Sequence, residues 1–262
     1  MELKDLIKQS YYYDNSGILL LGDCLEWMTK IPDKSIDIIL SDLPYGTTAC
    51  SWDSIISLNE LWEQYERITK ENSAILLTAS QPFTSVLVMS NPKLFKYEWI
   101  WEKNRGSNFA SVKYQPMKEH ESVLVFYKKR PIYNEQKIPR SELGQARSKY
   151  KINASNTGKR DVYNGMIGID SGYIETNFRC ARSIIKFNTE VGLHPTQKPV
   201  ALFEYLIKTY SNENMIILDN AAGSCTTAIA CKNLNRKWIC IEKEEKYCEI
   251  SKKRLENTQK IQ

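Results

Sequence analysis

Short apolar runs separated by helical patterns are the feature that most constrains the fold of this chain. Gly17 to Leu21 and Ile36 to Leu40 have the composition of buried strands, and so do Met215 to Leu218 and Trp238 to Ile241. Between them, apolar residues recur at helical spacing, as in residues 58–68. Strands that alternate with helices at this spacing predict an α/β fold built on a doubly wound, Rossmann-like sheet.

Other elements fill in the same pattern. Ala74 to Ala79 is a further apolar run, while residues 95–101 alternate as strand residues do, with residues 122–127 as their partner. Ser57-Leu58-Asn59-Glu60 has the spacing of a capping box at a helix start. Proline also favours the first turn of a helix, and this places helix starts at Pro82 and Pro199.

Composition limits the class of protein. At 262 residues and 42% hydrophobic, the chain suits one large domain, residues 1–262. No apolar run approaches the roughly 18 residues of a membrane span, and the first residues do not form a signal peptide. Seven irregularly spaced cysteines without a Cys-x-x-Cys predict free thiols and a cytoplasmic location. With two histidines, no metal site is expected.

Positive charge is concentrated in one segment. Residues 128–186 contain 13 Lys or Arg against 5 Asp or Glu, so the rest of the chain is negative although the whole carries +5. Residues 130–188 also lack a regular pattern and mix basic, polar and aromatic residues. Such a segment predicts a polyanionic partner, and the alternative is a solvated, loop-rich surface insertion.

The stretch Asp42-Leu43-Pro44-Tyr45 follows the second strand directly, at the end where α/β sheets bind ligands. Pro44 favours an extended Leu43, whose carbonyl can then point into a cleft beside the Asp42 carboxylate. Two such acceptors match the two N–H donors of an exocyclic amino group on a nucleobase, and Tyr45 offers a ring for stacking. The alternative is an ordinary turn, because this pattern arises by chance in roughly 2% of chains of this length.

A second motif follows the strand that ends at Leu218. Small residues from Asp219 to Thr227 lead into a helix, and Glu242 ends the next strand 23 residues after Asp219. Small residues allow close backbone approach to a ligand, and an acid at this spacing is typical of a ribose-hydroxyl acceptor. The alternative is a crossover whose loop is small for packing reasons.

These motifs, in this order, resemble those of the amino-group DNA methyltransferases of the β-type, permuted subgroup. The resemblance extends from about Gly17 to Leu255. Asp42-Leu43-Pro44-Tyr45 is similar to the family's Asp-Pro-Pro-Tyr loop, and Asp219 to Thr227 to its cofactor loop, Asp-Pro-Phe-x-Gly-Ser-Gly-Thr-Thr. It implies a circularly permuted methyltransferase sheet in which residues 130–188 form an inserted target-recognition region.

The resemblance also assigns roles to residues. It implies a catalytic loop of Asp42, Leu43, Pro44 and Tyr45. It implies that S-adenosylmethionine is bound by Asp23, Thr196, Lys198, Asp219, Asn220, Ala221, Gly223, Ser224, Cys225, Thr226 and Glu242. Trp101-Glu102-Lys103 resembles the strand near the target pocket, and we predict DNA contacts at Lys103, Asn108, Arg140, Arg147, Lys149, Lys159, Arg160, Arg179 and Arg182.

The implied function is transfer of a methyl group from S-adenosylmethionine to N6 of a flipped adenine in double-stranded DNA. Asp in the first motif position favours adenine, and cytosine N4 is the alternative. Departures at Asn220, Ala221 and Cys225 motivate a second alternative, a catalytically silent DNA-binding relative. A nicotinamide-dependent dehydrogenase ranks last, since it leaves Asp42 to Tyr45 unexplained.

Two further partners come with the resemblance, a second copy of the chain and a cognate restriction endonuclease. The family's usual Gly is replaced by Cys225, and we expect this replacement to weaken cofactor binding. The alternative is that Cys225 packs into the core.

Overall fold

The computed structural model describes residues 3–46, 54–143, 145, 177–190, 192 and 197–259. The chain divides into two compact units. The larger comprises Met1–Asn134 and Ser183–Gln262, and the smaller comprises Glu135–Arg182.

A nine-stranded sheet forms the larger unit. Its strands are β1 (Tyr12–Tyr13), β2 (Gly17–Leu21), β3 (Ile36–Ser41), β4 (Thr69–Ala79), β5 (Phe95–Ser107), β6 (Lys118–Phe126), β9 (Ile184–Lys186), β10 (Ile216–Asp219) and β11 (Lys237–Glu242). They lie in the order β1-β2-β11-β10-β3-β4-β6-β5-β9. The five strands from β2 to β4 are mutually parallel, whereas β6 runs antiparallel to both β4 and β5.

Seven α-helices accompany the sheet among the described residues. They are α1 (Leu3–Ile7), α2 (Cys24–Lys30), α3 (Leu58–Ile68), α4 (Phe83–Ser90), α5 (Val200–Tyr210), α6 (Thr226–Asn233) and α7 (Glu245–Gln259). A 3-10 turn, Phe109–Ser111, lies between β5 and β6.

The apolar runs become central strands because parallel sheets are covered on both faces. In β3, for example, Ile36, Ile38, Ile39 and Leu40 have no solvent-accessible surface. On one side of β10 the chain continues through α6 to β11, and on the other side β3 is followed by α3 and β4. The direction of winding therefore reverses between β10 and β3, and the carboxyl ends of strands at such a switch point form a ligand-binding crevice.

The predicted α/β class with a Rossmann-like sheet is confirmed, and the circular permutation stays a prediction. The capping box at Ser57 is wrong in detail. Ser57 does precede α3, but its side chain makes no capping hydrogen bond, because its φ of −55° and ψ of 104° depart from the extended conformation that an N-cap residue adopts. Strand β4 also begins at Thr69, before the apolar run that predicted it.

The smaller unit contains one described strand pair, β7 (Ile138–Pro139) with β8 (Phe178–Arg179), which is antiparallel. The Arg140 amide extends this pair by donating to the Asn177 carbonyl at 2.8 Å. The boundaries 130–188 of the inserted region, within one domain of residues 1–262, stay a prediction. Across the described part of the chain, no helix is long and apolar enough to span a membrane.

Candidate active site

A cavity of about 740 Å³ opens at the carboxyl ends of β3 and β10. The loop Asp42–Tyr45, which follows β3, and the loop Asp219–Ser224, which follows β10, both line it. These two strands are neighbours in the sheet. The two motifs singled out in the sequence therefore border one cavity, although about 180 residues separate them along the chain.

Asp42 is held by three side chains. Its Oδ1 accepts hydrogen bonds from the Tyr45 hydroxyl, at 2.8 Å, and from Thr78, while its Oδ2 lies 2.7 Å from Lys198 Nζ. A carboxylate offers roughly four acceptor positions. Three are used by described residues, so Oδ2 retains one acceptor position at a site that is 20% exposed to the cavity.

Lys198 continues this contact into a row of alternating charges. Its Nζ is 3.3 Å from Glu121 Oε2, and Glu121 in turn bonds Lys103. Burial lowers the pKa of a lysine, but the neighbouring Asp42, Tyr45 and Glu121 outweigh burial and raise the pKa of Lys198 well above its ordinary value. For Glu121 the effect of burial has the opposite sign and raises the pKa. The charges of Lys198 and Lys103 outweigh burial, so the pKa of Glu121 is lowered overall.

Tyr45 is fixed by ring packing as well as by its hydroxyl. Its ring stacks on Phe83, with centroids 5.3 Å apart and planes inclined by 24°. Lys198 Nζ lies 5.7 Å from the Tyr45 centroid. Burial, and then the charge of Asp42, raise the pKa of Tyr45 well above its ordinary value, so the hydroxyl stays protonated and donates to Asp42.

Asp219 anchors the second loop from within the core. It is 2% exposed, and its carboxylate accepts hydrogen bonds from Ser41 at 2.9 Å, from the Ala221 amide at 3.2 Å and from Thr227. Because burial is offset only by these neutral donors, the pKa of Asp219 rises to about 6. Asp219 thus ties the end of β10 to β3 and to α6.

Glu242 ends β11 and also lines the cavity. Its Oε2 accepts the Gly223 amide at 2.7 Å and its Oε1 accepts the Glu244 amide at 2.8 Å. Burial raises its pKa to about 7 despite these two backbone donors. A carboxylate offers roughly four acceptor positions, so Glu242 keeps capacity beyond its backbone donors for the predicted ribose contact.

Asp23 lines the cavity and caps a helix. Its Oδ1 accepts the Leu25 amide at 2.8 Å and the Glu26 amide at 3.4 Å, at the start of α2. The preceding Gly22 has φ +140°, and a Cβ there would lie 2.8 Å from Trp27 Nε1. Glycine at 22 therefore lets the chain turn sharply from β2 into the cavity wall.

Asn220 lines the cavity with a donor to spare. Its Oδ1 accepts the Tyr65 hydroxyl at 2.6 Å, whereas its buried Nδ2 meets no oxygen or nitrogen acceptor among the described residues and has the Cys24 thiol nearby. A buried donor without such a partner is costly. A ligand with a hydrogen-bond acceptor at this position would relieve that cost.

Cys225 differs from the other predicted cofactor residues. It does not line the cavity and is wholly buried, with its thiol against that of Cys240. Its φ of +56° and ψ of +41° keep the left-handed conformation that favours glycine. The backbone therefore has the positive φ for which the sequence led us to expect a Gly. The Cys225 side chain nevertheless packs into the core.

Arg254, on α7, donates hydrogen bonds to the loop that follows β10. It was not singled out from the sequence. Its Nη1 donates to the Ser224 carbonyl at 2.9 Å and to the Thr226 hydroxyl at 3.1 Å. Ser224 and Thr226, together with Ala221 and Gly223, line the cavity as the sequence led us to expect of cofactor-binding residues. Arg254 sits in a charged terminal helix, where one more Arg carries no sequence signal.

Glu121, Thr78 and Phe83 were also missed. They belong to β6, β4 and α4, far in sequence from Asp42, and their residue types are ordinary for those elements. Glu121 lies in the polar first half of β6, between His120 and Ser122, so its residue type there did not single it out.

The residues predicted to contact DNA fall into three groups. Lys103 is 10% exposed and bonds Glu121, while Asn108 accepts the Lys118 amide at 2.9 Å. In the smaller unit Arg182 is exposed, and Arg140 Nε donates to the Phe178 carbonyl at 2.7 Å. Arg179, at the end of β8, is half-buried. Thr196, predicted for the cofactor, and Arg147, Lys149, Lys159 and Arg160 lie outside the described residues.

Comparison with known proteins identifies the family. A model of N6/N4 methyltransferases, described as DNA methylases, matches residues 36–253. The chain belongs to this family. The sequence is 28% identical to the type II methyltransferase M2.DpnII of Streptococcus pneumoniae, over 96% of this chain and 94% of that one. It is 26% identical to the DNA adenine methyltransferase YhdJ of Escherichia coli K12, over 91% and 82%.

A solved structure agrees in fold. The PvuII DNA methyltransferase, described as cytosine-N4-specific, superposes with a TM-score of 0.63 at 14% identity, over 95% of this chain and 93% of that one. The resemblance inferred from the motifs is thereby confirmed, and so is the enzyme class. The chain is a DNA methyltransferase that uses S-adenosylmethionine and acts on DNA.

The residues of the cavity fit that cofactor. S-adenosylmethionine carries a purine, a ribose with two hydroxyls, and a charged methionine end. The cavity presents the Asn220 donor, the Glu242 and Asp23 carboxylates, and the Lys198 ammonium. The roles of the individual residues stay predictions.

Proposed function

We propose that this protein methylates adenine at N6, at a specific site in double-stranded DNA. The observation that carries the proposal is the shared cavity, in which the Asp42–Tyr45 loop and the Asp219–Ser224 loop meet at the switch point between β3 and β10. A base extruded from the duplex can then reach a methyl donor in one enclosed site.

The chemical step depends mainly on positioning. An exocyclic amine conjugated with its ring is a poor nucleophile. Asp42 accepts one amino hydrogen at the acceptor position left on its carboxylate, and the Leu43 carbonyl accepts the other. The Leu43 side chain is 3% exposed and packs in the core, which leaves its backbone to reach the cavity. Held by two acceptors, the nitrogen keeps its lone pair out of the ring and directed at the methyl group.

Lys198 has two roles in this proposal. Its Nζ donates to Asp42 at 2.7 Å, which fixes the Asp42 carboxylate, and forms an ion pair with Glu121 at 3.3 Å. An ammonium has three N–H donors, and the proposal assigns another of them to the methionine carboxylate, the role that the resemblance implies. S-adenosylmethionine, when bound, supplies an electrophilic methyl group on a sulfonium.

Cofactor binding is assigned to the second loop and its neighbours. Glu242 accepts a ribose hydroxyl, Asp23 contacts the adenine end, and the amides of the Asp219–Ser224 loop allow close approach of the ligand. The fixed backbone supports this assignment, because the Gly223 amide is already bonded to Glu242 and Ser224 to Arg254.

Cytosine N4 is the second candidate. The family covers both amino groups, and the PvuII enzyme that shares the fold is described as cytosine-N4-specific. Adenine is favoured by Asp42 in the first position of the loop and by the name of the YhdJ relative. The same two acceptors serve either amine, so the base is selected by the rest of the pocket.

A homodimer and a cognate restriction endonuclease are proposed as further partners, and the cytoplasm as the location. Relatives named as type II methyltransferases support the restriction partner. A silent DNA-binding relative is disfavoured by Asp42, Tyr45 and Lys198, all in mutual contact at the cavity.

One experiment tests the proposal. The protein is expressed in a host lacking its own DNA methyltransferases, and the genomic DNA is read by single-molecule sequencing. We expect N6-methyladenine within one short sequence context. N4-methylcytosine would show the second candidate to be right, and unmodified DNA from cells that contain soluble protein would show the silent relative to be right.

A further inference from the structure

The turn between β5 and β6 exposes large apolar side chains. We call residues 104–118 the hairpin tip. Within it Phe109 is 73% exposed, Tyr114 is 88% exposed and Val112 is 47% exposed. Clustered exposed apolar side chains mark interaction sites more often than single ones do.

The backbone beneath these side chains is organised. Asn108 adopts a left-handed conformation with φ +64°, and its side chain accepts the Lys118 amide at 2.9 Å. The Ser111 carbonyl accepts the Tyr114 amide at 2.9 Å. The aromatic rings thus extend from a hydrogen-bonded turn, and their exposure is not a result of missing local structure.

The charge of the tip indicates the partner. Residues 104–118 contain Arg105, Lys113 and Lys118 and no Asp or Glu. Arg105 and Lys113 are exposed. Cations interleaved with aromatic rings match the phosphates and bases of a nucleic acid.

The position of the tip connects it to the reaction. Trp101, Lys103 and Ser107 on β5, with Lys118 and Glu121 on β6, line the cavity that holds Asp42. The tip includes the end of β5 and the start of β6, and Ser107 and Lys118 belong both to it and to the cavity lining. DNA whose target base enters the cavity therefore passes close to the tip.

Resting on the proposed function, we propose that Phe109 and Tyr114 stack on the base pairs next to the extruded base, with Arg105 and Lys113 on the flanking phosphates. Removing a base from the duplex breaks stacking on both of its neighbours. Apolar side chains that insert at a base step can replace part of that stacking and hold the duplex open.

The test compares Phe109→Ala, Tyr114→Ala and the double variant with wild type. The probe is a 30-base-pair duplex carrying the methylation site found by sequencing, with either thymine or an abasic residue opposite the target adenine. On the paired duplex we expect kcat/KM of the double variant to fall at least about tenfold, in line with base–aromatic stacking. The abasic duplex, whose target base is easier to extrude, should restore most of the loss.

Matched variants complete the design. Tyr13→Ala removes an aromatic side chain that is 61% exposed on β1, near the opposite edge of the sheet, and should leave both rates unchanged. Phe109→Trp and Tyr114→Phe keep the rings and should keep the activity.

The proposal is overturned if the double variant acts within twofold of wild type on the paired duplex, or loses activity equally on both duplexes. A change in its sedimenting mass would instead show a contact between copies of the chain and would also overturn it. Failure of wild type to methylate the duplex would contradict the proposed function itself.

Discussion

The two loops that line the cavity are held by different forces. Around Asp42, charges alternate from Asp42 to Lys198, Glu121 and Lys103. Around Asp219 the partners are neutral hydroxyls and backbone amides, and no cation of the described residues pairs with Asp219 or Glu242. Ion pairs thus fix the carboxylate of the first loop, and hydrogen bonds to neutral groups fix the backbone of the second.

This difference has a chemical consequence. Alternating charges fix the orientation of one carboxylate, which a positioning mechanism requires, but removing one member leaves a buried charge unpaired. Neutral donors leave the buried acids with a raised pKa, to about 6 for Asp219 and about 7 for Glu242. We therefore expect the first loop to respond most to changes of charge and the second to respond to pH.

The largest effect is expected at Asp42. Asp42→Ala removes the proposed acceptor of the amino group, and loss of one transition-state hydrogen bond typically costs about 100- to 1000-fold in turnover. Cofactor binding should change far less than turnover, because the proposal assigns Asp42 to the target base and Lys198 keeps Glu121 as a charged neighbour. Transfer of radiolabelled methyl groups to DNA and calorimetric binding measure the two properties.

Asp33→Ala is the matched control, since Asp33 is 71% exposed and pairs with Arg67 on the surface. Activity of Asp42→Ala within a few-fold of wild type would falsify the proposed mechanism.

The second effect concerns Glu242 and the cofactor. Glu242→Ala should weaken S-adenosylmethionine binding by about 1.5–3 kcal/mol, the usual contribution of a hydrogen bond to a charged acceptor. Calorimetry at pH 8, where the carboxylate is ionised, measures this directly. An unchanged dissociation constant would mean that Glu242 serves only the Gly223 and Glu244 amides.

The raised pKa of Glu242 also gives a prediction for how the free energy of unfolding depends on pH. Its folded pKa of about 7 lies above the ordinary 4.5, so the folded state binds more protons than the unfolded state between these values. The free energy of unfolding without cofactor should therefore fall as pH rises from about 4.5 to 7, by about 2–3 kcal/mol from this group. Urea unfolding from pH 5 to 8 tests it, and a slope of the opposite sign would contradict it.

A third, smaller effect distinguishes two roles for Lys103. If Lys103 contacts a phosphate, Lys103→Met would lower the salt dependence of DNA affinity by about 0.9 in log–log slope. As a partner of Glu121, the same change would leave the slope alone and lower turnover, by about tenfold for a loss of about 1.4 kcal/mol in positioning. The burial and pairing of Lys103 favour the second outcome. Lys113→Met, at the exposed hairpin tip, is the matched control that should change the slope.

The smallest effect is expected at Cys225. Cys225→Ala loses a buried sulfur and keeps the left-handed strain, so it should lower the free energy of unfolding by about 1 kcal/mol. Cys225→Gly loses the same sulfur and relieves strain of about 1 kcal/mol, so it should be the more stable of the two. Both should bind cofactor within about threefold of wild type, because Cys225 does not line the cavity. Clearly tighter binding by the Gly variant would show that Cys225 does weaken the site.

The parallel centre of the sheet was predictable because β2, β3, β10 and β11 are mostly apolar runs and α3 is amphipathic. The meeting of Asp42 with the Asp219 loop was also predictable, since both follow strands whose carboxyl ends share one edge of a parallel sheet. Asp23 as the cap of α2 could have been found from an Asp directly before a helical pattern.

The row of charges could not be predicted from residue type. Lys198 meets Asp42 across 156 positions of sequence, and Glu121 and Lys103 sit on strands whose exact register brings them together. The register pairs Trp101 with Glu121, and no local sequence pattern predicts that pairing. The same holds for Phe83 beneath Tyr45, because the packing partner of a ring depends on how helix and sheet meet.

The pairing of β3 with β10 has a consequence for folding during synthesis. Strand β3 leaves the ribosome early, but its partner on one edge, Ile216–Asp219, is made some 180 residues later. Until then a largely apolar strand has one unpaired edge, which is a template for pairing with other chains. Distant contacts of this kind also slow folding. The arrangement that places both loops on one cavity therefore makes the nascent chain depend on protection from aggregation, and slower synthesis at reduced temperature should raise the yield of soluble protein.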